Sequence, residues 1–275
     1  MKERPLQDDL ALAQRAAWAA GDILMDHWSR RQNLRVTQKR AGDFLSQADL
    51  DAEACLRDAL LSACPGDGWL GEETGASASG AQRRRWIVDP LDGTTNFLRG
   101  IPHWAVSVAL EVDGVLCVGV VHDPAKAETF CASTGSGAWL NGAPIAVADT
   151  ASLSAALFGT GIPFGGMDHI EDHAADIARL MPACAGVRRM GAAALDLAYV
   201  AAGRLDGFWE RRLRSWDIAA GLVLLREAGA TVGALDPAEA PEDQGTVLTA
   251  SPALFDDFAA LLRNQPADSG PARRA

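Results

Sequence analysis

Trp86-Ile87-Val88-Asp89-Pro90-Leu91-Asp92-Gly93-Thr94-Thr95-Asn96-Phe97 begins as an apolar strand and runs out into two carboxylates three residues apart. Asp89 ends a buried run, where a carboxylate is costly unless a cation or hydrogen-bond donors compensate it. Pro90 fixes its own φ and restricts Asp89, which makes the turn rigid. Gly93 permits a sharp bend, and the Thr-Thr-Asn after it reads as a helix start with free N–H groups. Hard oxygen ligands beside such a start suit Mg²⁺ together with a phosphate. Taken alone, Asp92-Gly93 is also a common turn dipeptide. The full run is harder to read as a plain loop.

Two further acidic segments flank this one. Gly71-Glu72-Glu73-Thr74 follows the apolar Gly68-Trp69-Leu70, and Trp216-Asp217-Ile218-Ala219-Ala220-Gly221 opens a late helix. Singly, Glu72 and Glu73 read as solvated loop charges and Asp217 as a helix cap. In this order, and together with Asp89–Phe97, the three segments resemble the inositol monophosphatase family of Mg²⁺-dependent, lithium-sensitive phosphatases. The likeness runs from about Leu6 to Leu262. It implies an α+β fold, a layered αβαβα sandwich, and a homodimer.

The resemblance also implies roles. Glu72, Asp89 and the carbonyl of Leu91 hold a first metal; Asp89, Asp92 and Asp217 hold a second, with Asp89 bridging. Two or three Mg²⁺ per site follow. The catalytic set is Glu72 with Thr94 and Asp49, the last two orienting the attacking water. Asp49 closes the segment Asp43-Phe44-Leu45-Ser46-Gln47-Ala48-Asp49, a version of the family's Asp-x-Val-Thr-x-x-Asp with Leu45 and Ser46 as departures. Lys39, upstream, matches a lysine found near the metals, or is a solvated basic residue beside Arg35 and Arg40. Backbone groups of Gly93, Thr94, Gly191 and Ala193, with the carboxylates of Asp92 and Glu210, contact phosphate or substrate hydroxyls. Ala192 stands where Ser or Thr is usual, and Arg212 where glycine is frequent. Arg212 either reaches the pocket and admits a second anionic group or lies on a solvated or subunit-interface strip.

The implied reaction is hydrolysis of a small-molecule phosphate monoester, myo-inositol 1-phosphate first. The alternatives with the same chemistry are histidinol phosphate, fructose 1,6-bisphosphate and a 3′-phosphoadenosine nucleotide. A reading from another class is a regulatory protein that binds a transcription partner.

Composition agrees with a soluble enzyme. The 275 residues carry a net charge of −11, which speaks against a generic nucleic-acid binder. No apolar run approaches the roughly 20 residues of a membrane span, and the first residues do not form a signal core. Five cysteines at 55, 64, 117, 131 and 184 make no Cys-x-x-Cys and read as free thiols of a cytoplasmic protein.

Periodicity predicts helices over Leu6–Trp28, with Gly21 a weak point, and Ser46–Ser62. Residues 74–85 read as a mobile Gly/Ala/Ser-rich loop. Asp113-Gly114 and Asn141-Gly142 mark hairpins in a sheet-rich first half, residues 1–148. Residues 149–263 alternate short strands (Ala155–Gly159, Asp206–Glu210, Ala230–Gly233, Val247–Ala250) with helices near His169–Met181, Ala192–Ala202, Ile218–Ala228 and Pro252–Arg263. Residues 264–275 read as a disordered tail. His169 and His173, four apart, read as a solvated helix face; His103 and Trp104 read as packing residues; and His122-Asp123-Pro124 reads as a strand-ending turn.

Overall fold

The computed structural model describes residues 4–40, 43–77, 82–162 and 170–263. The expected tail and His169 lie outside the described residues, as does the side chain of Lys39. Helix α1 (Leu6–Ser29) buries Leu10, Ala13, Ala17, Ala20 and Leu24 at the predicted spacing. At Gly21 a Cβ would sit 2.7 Å from the His122 ring, so the close packing of α1 on this part of the sheet is what calls for glycine there. A ribbon of β1 (Val36–Arg40) and β2 (Asp43–Ser46) follows, then α2 (Gln47–Ala63). Ser46 and Asp49 cap α2 reciprocally, serving donors that the first turn leaves unpaired.

Next comes an eight-stranded sheet. It comprises β3 (Gly68–Gly71), β4 (Gly75–Ala76), β5 (Arg84–Asp92), β6 (Ala105–Val112), β7 (Val115–Asp123), β8 (Glu128–Ser133), β9 (Ala138–Leu140) and β10 (Ala143–Ile145). The short helix α3 (Thr94–Arg99) lies between β5 and β6. The spatial order is β10-β9-β8-β7-β6-β5-β3-β4, antiparallel except where β3 and β5 run together. Both predicted hairpins form, β6–β7 at Asp113-Gly114 and β9–β10 at Asn141-Gly142. Within the expected loop over residues 74–85, Gly75–Ala76 form β4 and Arg84 and Arg85 open β5.

The rest alternates: β11 (Leu157–Thr160), α4 (Ile170–Leu180), β12 (Gly186–Arg188), α5 (Ala193–Ala201), β13 (Gly207–Glu210), α6 (Ser215–Glu227), β14 (Thr231–Gly233), α7 (Pro241–Gln244), β15 (Val247–Ala250) and α8 (Phe255–Arg263). These strands make a five-stranded sheet ordered β12-β11-β13-β15-β14.

The period-2 rule sorts side chains between layers. Trp86, Val88, Val106, Val108 and Val120 face α1 and α2, whereas Ile87, Ala105, Ala109 and Val121 face α5 and α6. In the second sheet, Phe208 and Val247 join that α5–α6 core, while Phe158, Trp209 and Leu248 pack with α4 and α8. The result is the expected αβαβα sandwich. Where α6 crosses β7 the approach is backbone-close: a Cβ on Gly119 would lie 2.4 Å from the Ala220 carbonyl oxygen.

The expectation for the His169/His173 helix face is overturned at His173. His173 is buried, not solvated, and stacks on Trp209 with ring centroids 5.9 Å apart. Asp176, one turn on, is also buried, and Arg179 and Arg211 neutralise it. A helix face of polar residues is thus inward because cations from its own chain and from the loop after β13 satisfy it. His103 and Trp104 are buried as read, and Asp123 ends β7 by accepting from the Lys126 amide.

Candidate active site

β5 carries Asp89 and Asp92 out of the sheet, and its pairing with β6 shifts register between them. That irregularity lets two carboxylates three residues apart serve one site. Asp89 Oδ1 accepts from the Leu91 amide at 2.9 Å. Asp92 Oδ2 accepts from the Ala194 amide at 2.7 Å, across the gap to α5. Gly93 adopts φ +91°, and a Cβ there would lie 3.0 Å from the His103 carbonyl and 3.1 Å from the Ala192 Cβ. Only glycine meets both conditions. No side chain caps α3, which begins at Thr94.

α2 contributes two buried carboxylates one turn apart. Asp49 accepts from Ser46 Oγ at 2.6 Å and from Thr94 Oγ1 at 3.2 Å; Thr94 is also 3.0 Å from the Leu91 carbonyl. Glu53 accepts from the amides of Glu73 and Thr74 at 2.8 and 2.9 Å, and so clamps the loop that carries Glu72. Gly71 is bare because Glu53 lies where its Cβ would go. Sequence reading missed Glu53, although its spacing from Leu56 and Leu60 set it on the inward face of α2.

The electrostatics are those of crowded like charges. Burial, followed by Glu72, Asp92 and Asp217, holds the Asp89 carboxyl well above the usual range. Asp92 is pushed up to about 7 by burial, against hydrogen bonds from Ala194 and Ala193, with Asp196 and Glu72 adding to the rise. Glu210 is raised by burial and then by Asp217, Asp196 and Asp92, opposed by Arg189. Burial likewise raises Asp49 and Asp196. Six carboxylates from β5, β13, α5, α6 and the loop after β3 therefore share one field. Among the described residues no three acidic, histidine or cysteine side chains are already drawn into a closed metal cage. The donor set is all hard carboxylate oxygen, whose burial and mutual repulsion raise Asp89, Asp92 and Glu210 together, and such a set fits a hard divalent cation.

Of the residues singled out in the sequence, Glu72, Asp89, Asp92, Asp217 and Glu210 come within electrostatic reach of one another. Thr94 joins Asp49, and Ala192 reaches Gly93. Gly191 and Ala193 lie at the start of α5, over the same turn. Arg212 is exposed, with left-handed backbone at φ +62°. That conformation is the physical reason a glycine is easy there. Arg189, which sequence reading passed over, is the cation felt by both Asp196 and Glu210.

A model of the family described as "Inositol monophosphatase family" matches residues 6–267. The chain belongs to the inositol monophosphatase family. An inositol-1-monophosphatase of Mesorhizobium japonicum is 47% identical over 233 residues, covering 85% of this chain and 88% of that one. The Nus factor SuhB of Pseudomonas aeruginosa is 45% identical over 232 residues, 82% of this chain and 85% of its own. The crystal structure of the extragenic suppressor protein suhB from Bartonella henselae superposes with a TM-score of 0.90 at 38% identity, covering 94% of this chain and 99% of that one. The activity of this inositol monophosphatase family member is phosphate monoester hydrolysis, and the family is in general metal-dependent.

Proposed function

We propose that this chain is a Mg²⁺-dependent phosphatase of polyol monophosphates, with myo-inositol 1-phosphate as its leading substrate. The observation that carries this is the crowding of Glu72, Asp92 and Asp217 around the buried Asp89, whose carboxyl all three push upward after burial itself. Glu72, Asp89 and the Leu91 carbonyl would hold one ion, Asp89, Asp92 and Asp217 a second, and a third is compatible with Glu72. Bound there, Mg²⁺ acidifies a water and neutralises charge on the phosphate and the departing alkoxide.

The chain's own groups supply the rest. With its proton given to Asp49, the Thr94 oxygen keeps lone pairs that accept from the attacking water and aim it. Burial holds Asp49 above the usual carboxylate range, so as the water gives its proton to the Thr94 oxygen, the Thr94 hydroxyl proton can pass to Asp49 and the threonine stays neutral. The uncapped amides of Gly93 and Thr94 offer donors to the phosphate oxygens. Glu210, with backbone groups at Gly191 and Ala193, accepts or donates to substrate hydroxyls; a carboxylate suits vicinal hydroxyls well. The inositol-1-monophosphatase named above supports this choice of substrate. A homodimer in the cytoplasm completes the reading. All five cysteines are free thiols, in keeping with a reducing compartment, and among the described residues no helix is long and apolar enough to cross a membrane.

The test is phosphate release by the purified chain across a panel of sugar, polyol, bisphosphate and nucleotide phosphates, with Mg²⁺ or with chelator. Mg²⁺-dependent turnover highest on inositol monophosphates is expected. Undiminished turnover in chelator, or a clear preference for a bisphosphate or nucleotide, overturns the reading. The Nus factor name of the P. aeruginosa relative favours a second role, binding of a transcription partner. Stoichiometric capture of such a partner, with negligible turnover on the whole panel, would decide for it.

A further inference from the structure

Two buried polar links tie the catalytic turn to the start of α5, and neither belongs to the ligand set. Asn96, the third residue of α3, donates from its amide in two directions: Nδ2 lies 2.8 Å from the His103 carbonyl on its own side and 2.8 Å from the Met190 carbonyl across the gap, just before α5. Both acceptors are carbonyl oxygens, so the NH₂ end of the amide must face them. The residue that supplies the first carbonyl makes the second link. His103 Nε2 donates to Asp196 Oδ1 at 2.9 Å, with both residues buried. Between the ends of these links runs 190–196, the segment whose Ala194 amide holds Asp92 and whose Ala192 touches Gly93.

We propose that Asn96, with the His103–Asp196 pair, is the positioning device for substrate recognition, holding segment 190–196 in register over the catalytic turn. This rests on the polyol-phosphate reading above and assigns the residues that set its selectivity. The metal ligands come mostly from β5 and the loop after β3, whereas the hydroxyl-facing backbone comes from the start of α5. Their relative placement is fixed by neither sheet's hydrogen-bond ladder. It depends on side chains that cross between them, and a buried amide serving two carbonyls has one geometry that satisfies both. Loosening it shifts the hydroxyl contacts more than the phosphate contacts. A purely structural Asn96 would instead affect all substrates alike.

The experiment compares wild type, Asn96→Ala, His103→Ala and His103→Gln, each as full-length protein with saturating Mg²⁺. Two substrates are used: myo-inositol 1-phosphate and 4-nitrophenyl phosphate, which has no hydroxyls to recognise. For Asn96→Ala and His103→Ala, kcat/KM on the inositol phosphate is expected to fall at least 10-fold more than on the aryl phosphate, mainly through KM. His103→Gln, whose amide can still donate to Asp196, should recover most of that ratio. Amide exchange at Ala193 and Ala194, followed by mass spectrometry or NMR, should quicken about 10-fold in Asn96→Ala. That readout needs no turnover. Equal losses on both substrates, or unchanged exchange at 193–194 in a folded Asn96→Ala, overturn the inference. A wild type that releases phosphate from neither substrate fails the functional reading instead, and the exchange result then judges the link by itself.

Discussion

Removing metal should make this protein less stable as pH rises through neutrality. Asp92 has a carboxyl pKa of about 7 in the folded chain against 3.8 ordinarily. Between those values the folded state holds a proton that the unfolded chain has already lost, so stability is full below pH ~4 and declines as pH climbs towards 7. At about 1.4 kcal/mol per pH unit, the decline from Asp92 alone is at most ~4 kcal/mol. Asp89, Glu210 and Asp49 are raised too and act in the same direction. For a chain of this length ~4 kcal/mol corresponds to a Tm lower by roughly 8 °C. Divalent cations compete with those protons, so the stabilisation by Mg²⁺ should grow over the same interval. Thermal unfolding in chelator and in excess Mg²⁺, from pH 5 to 8, measures both curves. Asp92→Asn, which cannot ionise, should make the metal-free curve shallower, leaving the slope due to the other raised carboxyls. A metal-free Tm that rises from pH 5 to 7, or an equal Mg²⁺ gain at both ends, would refute the reasoning.

Other outcomes test the site residue by residue. Asp89→Asn removes charge from both proposed ions and should lower kcat by at least about 10³-fold, whereas Glu73→Gln, whose backbone and not its carboxylate is held by Glu53, should stay within about 10-fold. Comparable rates at saturating Mg²⁺ would reject the ligand assignment. Glu53→Ala leaves the amides of Glu73 and Thr74 without their acceptor and should raise the Mg²⁺ concentration for half-maximal binding about 10-fold by titration calorimetry; an unchanged value means that the clamp is irrelevant to Glu72. Li⁺, close to Mg²⁺ in size with half the charge, should inhibit in an uncompetitive or mixed pattern, and full activity at high lithium counts against the second metal site. Arg212→Gly should raise stability by about 0.5–1 kcal/mol by relieving the left-handed backbone, with equal kinetics on mono- and bisphosphates; a selective loss on bisphosphates would place Arg212 in the pocket.

Much of the site was legible because its chemistry is local. Asp89 through Thr94 lie within six residues, and the αβαβα layering came from the family likeness that those residues carried. What was not legible depends on partners far away in sequence. His173 and Asp176 occupy inward positions of α4 in polar letters, so the apolar periodicity that reveals other helices is silent there, and Arg211 satisfies them from 35 residues on. The β1–β2 ribbon shows no clean apolar alternation to read. The short strand β12 is defined by its pairing with β11 alone. Asn96 stood in plain view within the decisive motif. Its role was hidden because a carbonyl acceptor at residue 190 has no sequence signature.

The shared α5–α6 layer makes the chain hard to divide. A boundary near residue 148, drawn where the pattern of strands changes, would strip Ile87, Ala109, Val121 and Phe130 of their cover and leave Gly119 facing water instead of the α6 backbone. The fragment 1–148 would keep most of the proposed metal ligands yet present one whole face of an eight-stranded sheet as an apolar surface. Residues 1–148 are thus a half only in sequence: the α5–α6 layer that covers their sheet also brings Asp196 and Asp217 up to Asp92 and Asp89, so closing this core and assembling the candidate site use the same contacts.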